Sequence, residues 1–170
     1  MKKDGFTLTE LLVITTIISL MSILVLANYR AGERQFSLVS SSHKLAQDLR
    51  RSQEKTMSMR QFNCPAGKLK GYGIRFQQGN ESYHLNARCD IDGVFQDSSL
   101  EEVLLEPGVL IKEIKRDAVQ VSALDVFFYP PDPQTDLEGG NQITITLCLE
   151  EDIQITKTIS VNKSGLISLE

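Results

Sequence analysis

The sequence contains few of the side chains that build metal and catalytic centres. It has 2 histidines and 3 cysteines in 170 residues; no two cysteines have zinc-site spacing, and His43 and His84 stand alone. It also lacks the Gly-x-Ser-x-Gly elbow, the phosphate-binding loop and the metalloprotease helix. These absences argue against an enzyme, a metal site or a bound cofactor.

The charge balance differs from that of a general nucleic-acid binder. The formal net charge is −4 at pH 7, whereas proteins that bind nucleic acids present a basic surface to the phosphates. The chain is long enough for a membrane anchor and one soluble domain with a modest core.

The segment from Phe6 to Ala27 is apolar almost throughout. It is about 22 residues long, and a helix that rises about 1.5 Å per residue would span the roughly 30 Å hydrocarbon core of a bilayer. Its one ionisable side chain is Glu10, and it contains no Lys, Arg or His. A carboxylate in a membrane helix costs on the order of 2.5 to 3.5 kcal/mol. We therefore expect the partner of Glu10 on another chain and interpret Glu10 as an assembly residue.

A short cationic leader precedes the apolar segment. Lys2 and Lys3 predict a cytoplasmic amino terminus by the positive-inside rule, which places residues 30–170 on the outer side of the membrane. A secretory signal peptide would have a shorter apolar stretch followed by a small-residue cleavage site, and neither feature is present. The sequence therefore predicts a single-pass inner-membrane protein.

Residues 2–10 read KKDGFTLTE, and this string resembles the processing signature of type IV prepilins and of the pseudopilins of type II secretion. The resemblance implies cleavage after Gly5 by a prepilin peptidase and N-methylation of the new terminus, Phe6. It also implies that the Phe6 amine of one subunit pairs with Glu10 of a neighbour. At about 4 Å and an effective dielectric of about 20, the attraction is roughly 4 kcal/mol, enough to offset the insertion cost. The alternative is a plain signal anchor in which Glu10 reaches the membrane interface.

The same resemblance implies a pilin or minor pilin of a type IV pilus-like filament. An inner-membrane assembly platform moves such a subunit from membrane lipid into an extracellular or periplasmic filament. In the filament the subunit packs against other pilin or pseudopilin subunits. The alternative is an H-type minor pseudopilin of type II secretion, because residues 44–53 and 143–170 resemble that group. Some of its relatives capture DNA through a basic carboxyl-terminal motif, but residues 165–170 contain no arginine, which argues against a nucleic-acid partner. Residues 24–29 also lack the proline common in pilins, so we expect no helix melting on assembly.

Residues 28–61 favour a helix with a stripe at spacings of three or four. The stripe comprises Leu38, Ser42, Leu45, Leu49, Ser52, Thr56 and Met59. Joined to the membrane segment, this pattern predicts one helix of about 55 residues. We expect this stripe to be the face of the helix on which the soluble domain packs.

After Asn63 the pattern changes to the two-residue period of strands. Strands are predicted at 72–76, 82–87, 100–105, 109–114, 124–129, 142–149, 153–161 and 166–169. The predicted fold class is α+β, with a long N-terminal helix packed against an antiparallel β-sheet or small β-sandwich, as in pilins. The predicted organisation is a leader (1–5), an assembly helix (6–27), the amphipathic half of the long helix (28–61) and a β-rich extracytoplasmic head (62–170).

The cysteines are predicted to lie outside the membrane, where disulfides persist. Cys64 and Cys89 could close a loop of about 25 residues, stabilising the fold by roughly 3 kcal/mol. Cys148 lies in a predicted strand, and we interpret it as a buried thiol. The acidic residues within 90–92 and 129–138 lack the spacing of a calcium-binding EF-hand, so we interpret them as solvated turn residues.

Overall fold

The structure is a computed structural model that describes residues 7–58, 62–64, 67–130 and 134–170. In those ranges one helix, α1 (Leu8–Met57), precedes ten strands. The strands are β1 (Lys68–Gln77), β2 (Ser82–Ile91), β3 (Val94–Leu104), β4 (Val109–Arg116), β5 (Val119–Val121), β6 (Ala123–Tyr129), β7 (Gln134–Asp136), β8 (Gln142–Leu149), β9 (Thr156–Asn162) and β10 (Ile167–Leu169). The chain divides into two compact units, Met1–Phe36 and Ser37–Glu170.

The strands form two five-stranded sheets within the unit Ser37–Glu170. The strand order is β3-β2-β1-β6-β7 in the first sheet and β10-β9-β8-β4-β5 in the second. Every strand pair is antiparallel. The predicted α+β class, with a long N-terminal helix packed on antiparallel strands, is therefore confirmed.

The carboxyl-terminal part of α1 joins the hydrophobic core of the sheets. Leu38, Leu45 and Leu49 are at most 2% exposed and lie in one buried cluster with apolar residues of both sheets. Thr56 of the same stripe donates to the Ser52 carbonyl at 3.0 Å and accepts a hydrogen bond from the Tyr72 amide of β1 at 3.1 Å. The predicted stripe is confirmed for its described members, and Met59 lies outside the described residues.

The predicted strands are present, but some ends differ. β3 begins at Val94 rather than at residue 100, because Asp92 and Gly93 have φ angles of 51° and 87° and form a tight turn that keeps β2 and β3 paired up to Ile91 and Val94. β9 begins at Thr156 rather than at residue 153, because the Ile155 amide donates to the Asp152 carbonyl at 3.1 Å in a turn.

Two short strands, β5 and β7, were not predicted. Each has 3 residues, which is shorter than the run of four to eight alternating residues by which a strand is recognised in sequence. The helix was predicted to extend to about residue 61. In the structure α1 ends at Met57, and residues 59–61 lie outside the described ranges.

Candidate assembly site

The helix α1 begins with a side-chain cap. The Thr7 hydroxyl accepts a hydrogen bond from the backbone amide of Glu10 at 3.3 Å, and the Thr7 carbonyl accepts one from the Leu11 amide at 3.2 Å. A Thr followed three residues later by Glu has the spacing of a capping box. Only the Thr7 half of such a box is formed in the described chain, because the capping bond joins the Thr7 hydroxyl to the Glu10 backbone amide. The spacing of Thr7 and Glu10 is the signal in the sequence that could have predicted this cap.

The position of Glu10 in the first turn of α1 has an electrostatic consequence. A negative charge there interacts favourably with the partial positive charge of the helix amino terminus, an effect of roughly 0.3 to 1 kcal/mol at an exposed site. This term is smaller than the cost of placing a carboxylate in a membrane. Capping alone therefore leaves most of that cost without compensation.

The hydroxyl groups of the apolar segment are satisfied by the helix itself. Thr15 and Thr16 donate to the carbonyls three residues earlier, at 3.0 and 2.7 Å. Ser19 and Ser22 donate to the carbonyls four residues earlier, both at 2.8 Å. Because the bilayer core has no water to bond such groups, internal bonding is what a lipid-facing helix needs.

The apolar segment is exposed along its whole length. Residues Leu8–Leu26 form a stretch of 19 residues with a mean hydropathy of 2.2, long and apolar enough to cross a membrane, and none of it is buried by the described chain. The exposed fractions of its large apolar side chains range from 80% at Leu8 to 42% at Ile14. An apolar surface of this size indicates contact with lipid or with other apolar helices.

The Glu10 carboxylate makes no hydrogen bond or ion pair with any residue that the structure describes. Its side chain is exposed. Gly5, the predicted cleavage position, and Phe6, the predicted methylated terminus and charge partner, lie outside the described residues. The Phe6–Glu10 pair therefore stays a prediction.

The cysteines predicted to pair are joined in the structure. Cys64 and Cys89 form a disulfide with their Cα atoms 6.0 Å apart, and Cys89 lies 1% exposed in β2. Cys148 is a free thiol in β8 and is fully buried. Burial raises the pKa of the Cys148 thiol, which suppresses the reactive thiolate.

A charged cluster on the first sheet was not found from the sequence. Arg88 of β2 forms two parallel hydrogen bonds to Asp97 of β3, at 2.7 and 2.9 Å, and donates a third to the Tyr129 hydroxyl at 3.0 Å. Its guanidinium carbon lies 3.6 Å from the centroid of the Phe127 ring. Although burial alone would lower the pKa of Arg88, the hydrogen bonds to Asp97 and Tyr129 raise it overall.

A second ion pair extends this cluster across the sheet. Arg75 of β1 donates to both carboxylate oxygens of Asp125 of β6, at 2.7 and 2.6 Å, and Arg88 lies 3.5 Å from Asp136 of β7. The cations are thus paired with carboxylates of neighbouring strands. We interpret the cluster as a brace between strands rather than as a ligand site.

Gly73 of β1 makes room for the aromatic part of this brace. It lies directly opposite Phe127, and a Cβ atom at Gly73 would collide with the Val126 carbonyl and lie 2.6 Å from the Phe127 ring. Phe127 is fully buried beneath Arg88. The absence of a side chain at Gly73 therefore leaves room for the ring in this position.

The described residues contain no group of three or more His, Cys, Asp or Glu side chains placed to hold a metal ion. Asp90 and Asp92 lie at the β2–β3 turn, where the Asp90 side chain accepts the Gly93 amide at 2.9 Å. That contact gives Asp90 a turn-stabilising role. Residues 131–133 of the acidic loop lie outside the described ranges.

Comparison with known proteins gives two similar solved structures. No protein-family model matches the sequence, and no curated protein matches it. The two are crystal structures of the type IV minor pilin FimU of Pseudomonas aeruginosa strain PAO1, in space groups P21 and P65. Both are 16% identical to this chain and cover 78% of it, spanning 87% and 92% of the FimU chain with TM-scores of 0.47 and 0.46. Similarity at this level assigns no function.

Proposed function

We propose that this chain is a structural subunit of a type IV pilus-like filament, a pilin or minor pilin. The observation that carries the proposal is the exposed apolar helix Leu8–Leu26, whose one ionisable side chain, Glu10, has no ion-pair partner in the described chain. The Gly5-Phe6-Thr7 string before it supports processing after Gly5. In this proposal the precursor is inserted in the inner membrane, trimmed after Gly5 and methylated on Phe6.

The chemistry of the cut explains why Glu10 is tolerated. Cleavage creates a cationic amine on Phe6, and N-methylation retains its charge. An attraction of roughly 4 kcal/mol between this amine and Glu10 of a neighbouring subunit offsets an insertion cost of about 2.5 to 3.5 kcal/mol. Because the pair joins different subunits, it also sets the axial stagger at which their apolar helices pack.

The proposal implies partners in a defined order. A prepilin peptidase with methyltransferase activity acts first, while the apolar helix lies in membrane lipid. An inner-membrane assembly platform then extracts the subunit, and the apolar surface passes from lipid to the helices of other subunits. Lys2 and Lys3 support a cytoplasmic amino terminus, with the β-rich head on the outer side.

The H-type minor pseudopilin of type II secretion is the alternative assignment. It shares the cut, the methylation and the helix packing, and differs in the platform that it joins. Incorporation of the chain when expressed with a pilus platform, compared with a type II secretion platform, distinguishes the two. A DNA-uptake role is disfavoured, and tight, salt-sensitive DNA binding by the purified chain would contradict that view.

Processing is tested by expressing the full chain with a prepilin peptidase and weighing the product by intact-protein mass spectrometry. We expect loss of residues 1–5 and addition of one methyl group at Phe6. A Gly5→Leu variant should keep its leader, whereas a Gly32→Ala variant, changed within α1 and away from the cut, should be processed normally. An amino terminus that remains at Met1 in the unmodified chain contradicts the proposal.

A further inference from the structure

The geometry points to a second contact between copies of this chain, formed by their head units, Ser37–Glu170. In this contact the edge of strand β3 in one copy docks beside strand β10 of the next copy. The inference rests on the proposed filament function and adds a contact outside the apolar helices. It commits to a second copy of this chain as the occupant.

The first surface, the β3 edge, is defined by Leu100, Glu101, Glu102 and Leu104. β3 is the outermost strand of the first sheet and, with 11 residues, the longest strand in the described chain. Leu104 is 65% exposed. Glu101 makes no ion pair with a described residue, and Glu102 accepts a hydrogen bond from the Ser82 hydroxyl at 2.7 Å. A long exposed edge strand is a template for association, and its acidic side chains favour a cationic partner.

The second surface, the β10 cleft, lies between α1 and the final turn. Its volume is about 350 Å³, and it is lined by Arg50, Gln53, Glu54 and residues Gly165, Leu166 and Ile167. Leu166 is 64% exposed. Arg50 makes no ion pair with a described residue, and the exposed Lys163 lies in this turn, which the Gly165 amide closes by donating to the Asn162 carbonyl at 2.9 Å.

The two surfaces are complementary in charge, and both present an exposed apolar side chain. The β3 edge has two carboxylates and one nearby ammonium, that of Lys44, which donates to the Leu104 carbonyl at 3.1 Å. The cleft has Arg50 with Lys163 nearby against the single carboxylate of Glu54. Each surface also presents one leucine that is about two-thirds exposed, so an apolar centre is available on both sides of the contact.

The position of the two surfaces on α1 predicts how copies would be arranged. The helix contacts the β3 edge through Lys44, and it contacts the final turn through Gln53, which donates to the Gly165 carbonyl at 3.3 Å. These residues are nine positions apart, which is about 180° around the helix and roughly 13 Å along its axis. One copy can therefore use both surfaces at once, with a different neighbour on each side. Such a head-to-tail contact with an axial displacement builds an open helical array.

Cysteine crosslinking tests this contact in cells that assemble the full chain. A chain with both Leu104→Cys and Leu166→Cys should give a ladder of disulfide-linked oligomers on mild oxidation. Chains with one of the two changes, expressed together, should give mixed dimers. Leu166→Cys combined with Val119→Cys is the matched control, since Val119 is 65% exposed but lies in β5 at the opposite edge of the second sheet.

Charge reversal provides a second readout. Arg50→Glu should lower the Leu104→Cys/Leu166→Cys crosslink yield at least tenfold, and adding Glu101→Arg should restore most of it. Arg51→Glu, at a neighbouring exposed arginine that does not line the cleft, should leave the yield unchanged. Filaments that contain the chain but show no crosslink, or a crosslink to a different subunit, overturn the inference and leave the proposed function intact. If the unmodified chain never enters filaments, the inferred contact and the proposed function both fail.

Discussion

Replacement of Arg88 by lysine tests whether the charged cluster braces the head unit. A lysine retains the positive charge, but its single ammonium cannot hold both Asp97 oxygens and the Tyr129 hydroxyl in the fixed geometry of a guanidinium. It also loses the planar stacking on Phe127, which lies 3.6 Å from the guanidinium carbon. The Arg88 and Asp97 side chains are only 14% and 18% exposed, so water cannot fully replace the lost bonds.

The expected loss follows from these contacts. A hydrogen bond to a charged group contributes about 1.5 to 3 kcal/mol, and Arg88→Lys removes at least one of the pair to Asp97 together with the stacking. We expect the free energy of unfolding to fall by about 3 kcal/mol. For a unit of this size, that fall corresponds to a decrease in melting temperature of roughly 10 °C.

The assay is thermal and urea unfolding of the full chain in detergent micelles, followed by near-ultraviolet circular dichroism. The matched control is Arg51→Lys at an exposed position of α1, where a change within about 0.5 kcal/mol is expected. If Arg88→Lys is as stable as this control, the geometry of the cluster does not contribute to stability and the brace interpretation is wrong.

Two further predictions concern the same unit. Burial, with the hydrogen bond that Tyr83 donates to Asp48 at 2.6 Å, raises the pKa of Tyr83 above its ordinary value of 10.0. The folded chain then keeps a proton that the unfolded chain loses, so the free energy of unfolding should fall as pH rises above about 10, and less steeply for Tyr83→Phe; equal slopes in urea titrations would contradict this reasoning. Thiol titration of the denatured, unreduced chain should find one thiol, that of Cys148, and three after reduction. Three thiols without reduction would exclude the Cys64–Cys89 disulfide.

The helix and most strands could be predicted because their residues repeat with the period of the structure that they form. Leu38, Leu45 and Leu49 face one side of α1, and all are buried as the spacing predicts. The early start of β3 was missed, although Asp92-Gly93 between alternating residues is a typical hairpin signal. The alternation that marks a strand is weak at the start of β3, because residues 96–99 read QDSS and are all polar.

The charged cluster could not be predicted in the same way. Arg75 and Asp125 lie opposite each other in β1 and β6 but are 50 residues apart in the sequence, so their pairing depends on the register of the sheet. Glu10 is a different case, because a single carboxylate within an apolar segment can be recognised from the sequence alone. Its proposed partner belongs to another subunit, which the structure of one chain does not contain.

A high-resolution density map of the assembled filament tests the central proposal most directly. The measurement is the distance from the Glu10 carboxylate to the nearest cationic nitrogen. We predict that this nitrogen is the methylated amine of Phe6 on a neighbouring copy or another subunit, at a distance of about 4 Å or less. A Glu10 carboxylate that faces lipid or solvent, with no cationic group in reach, would contradict the proposal.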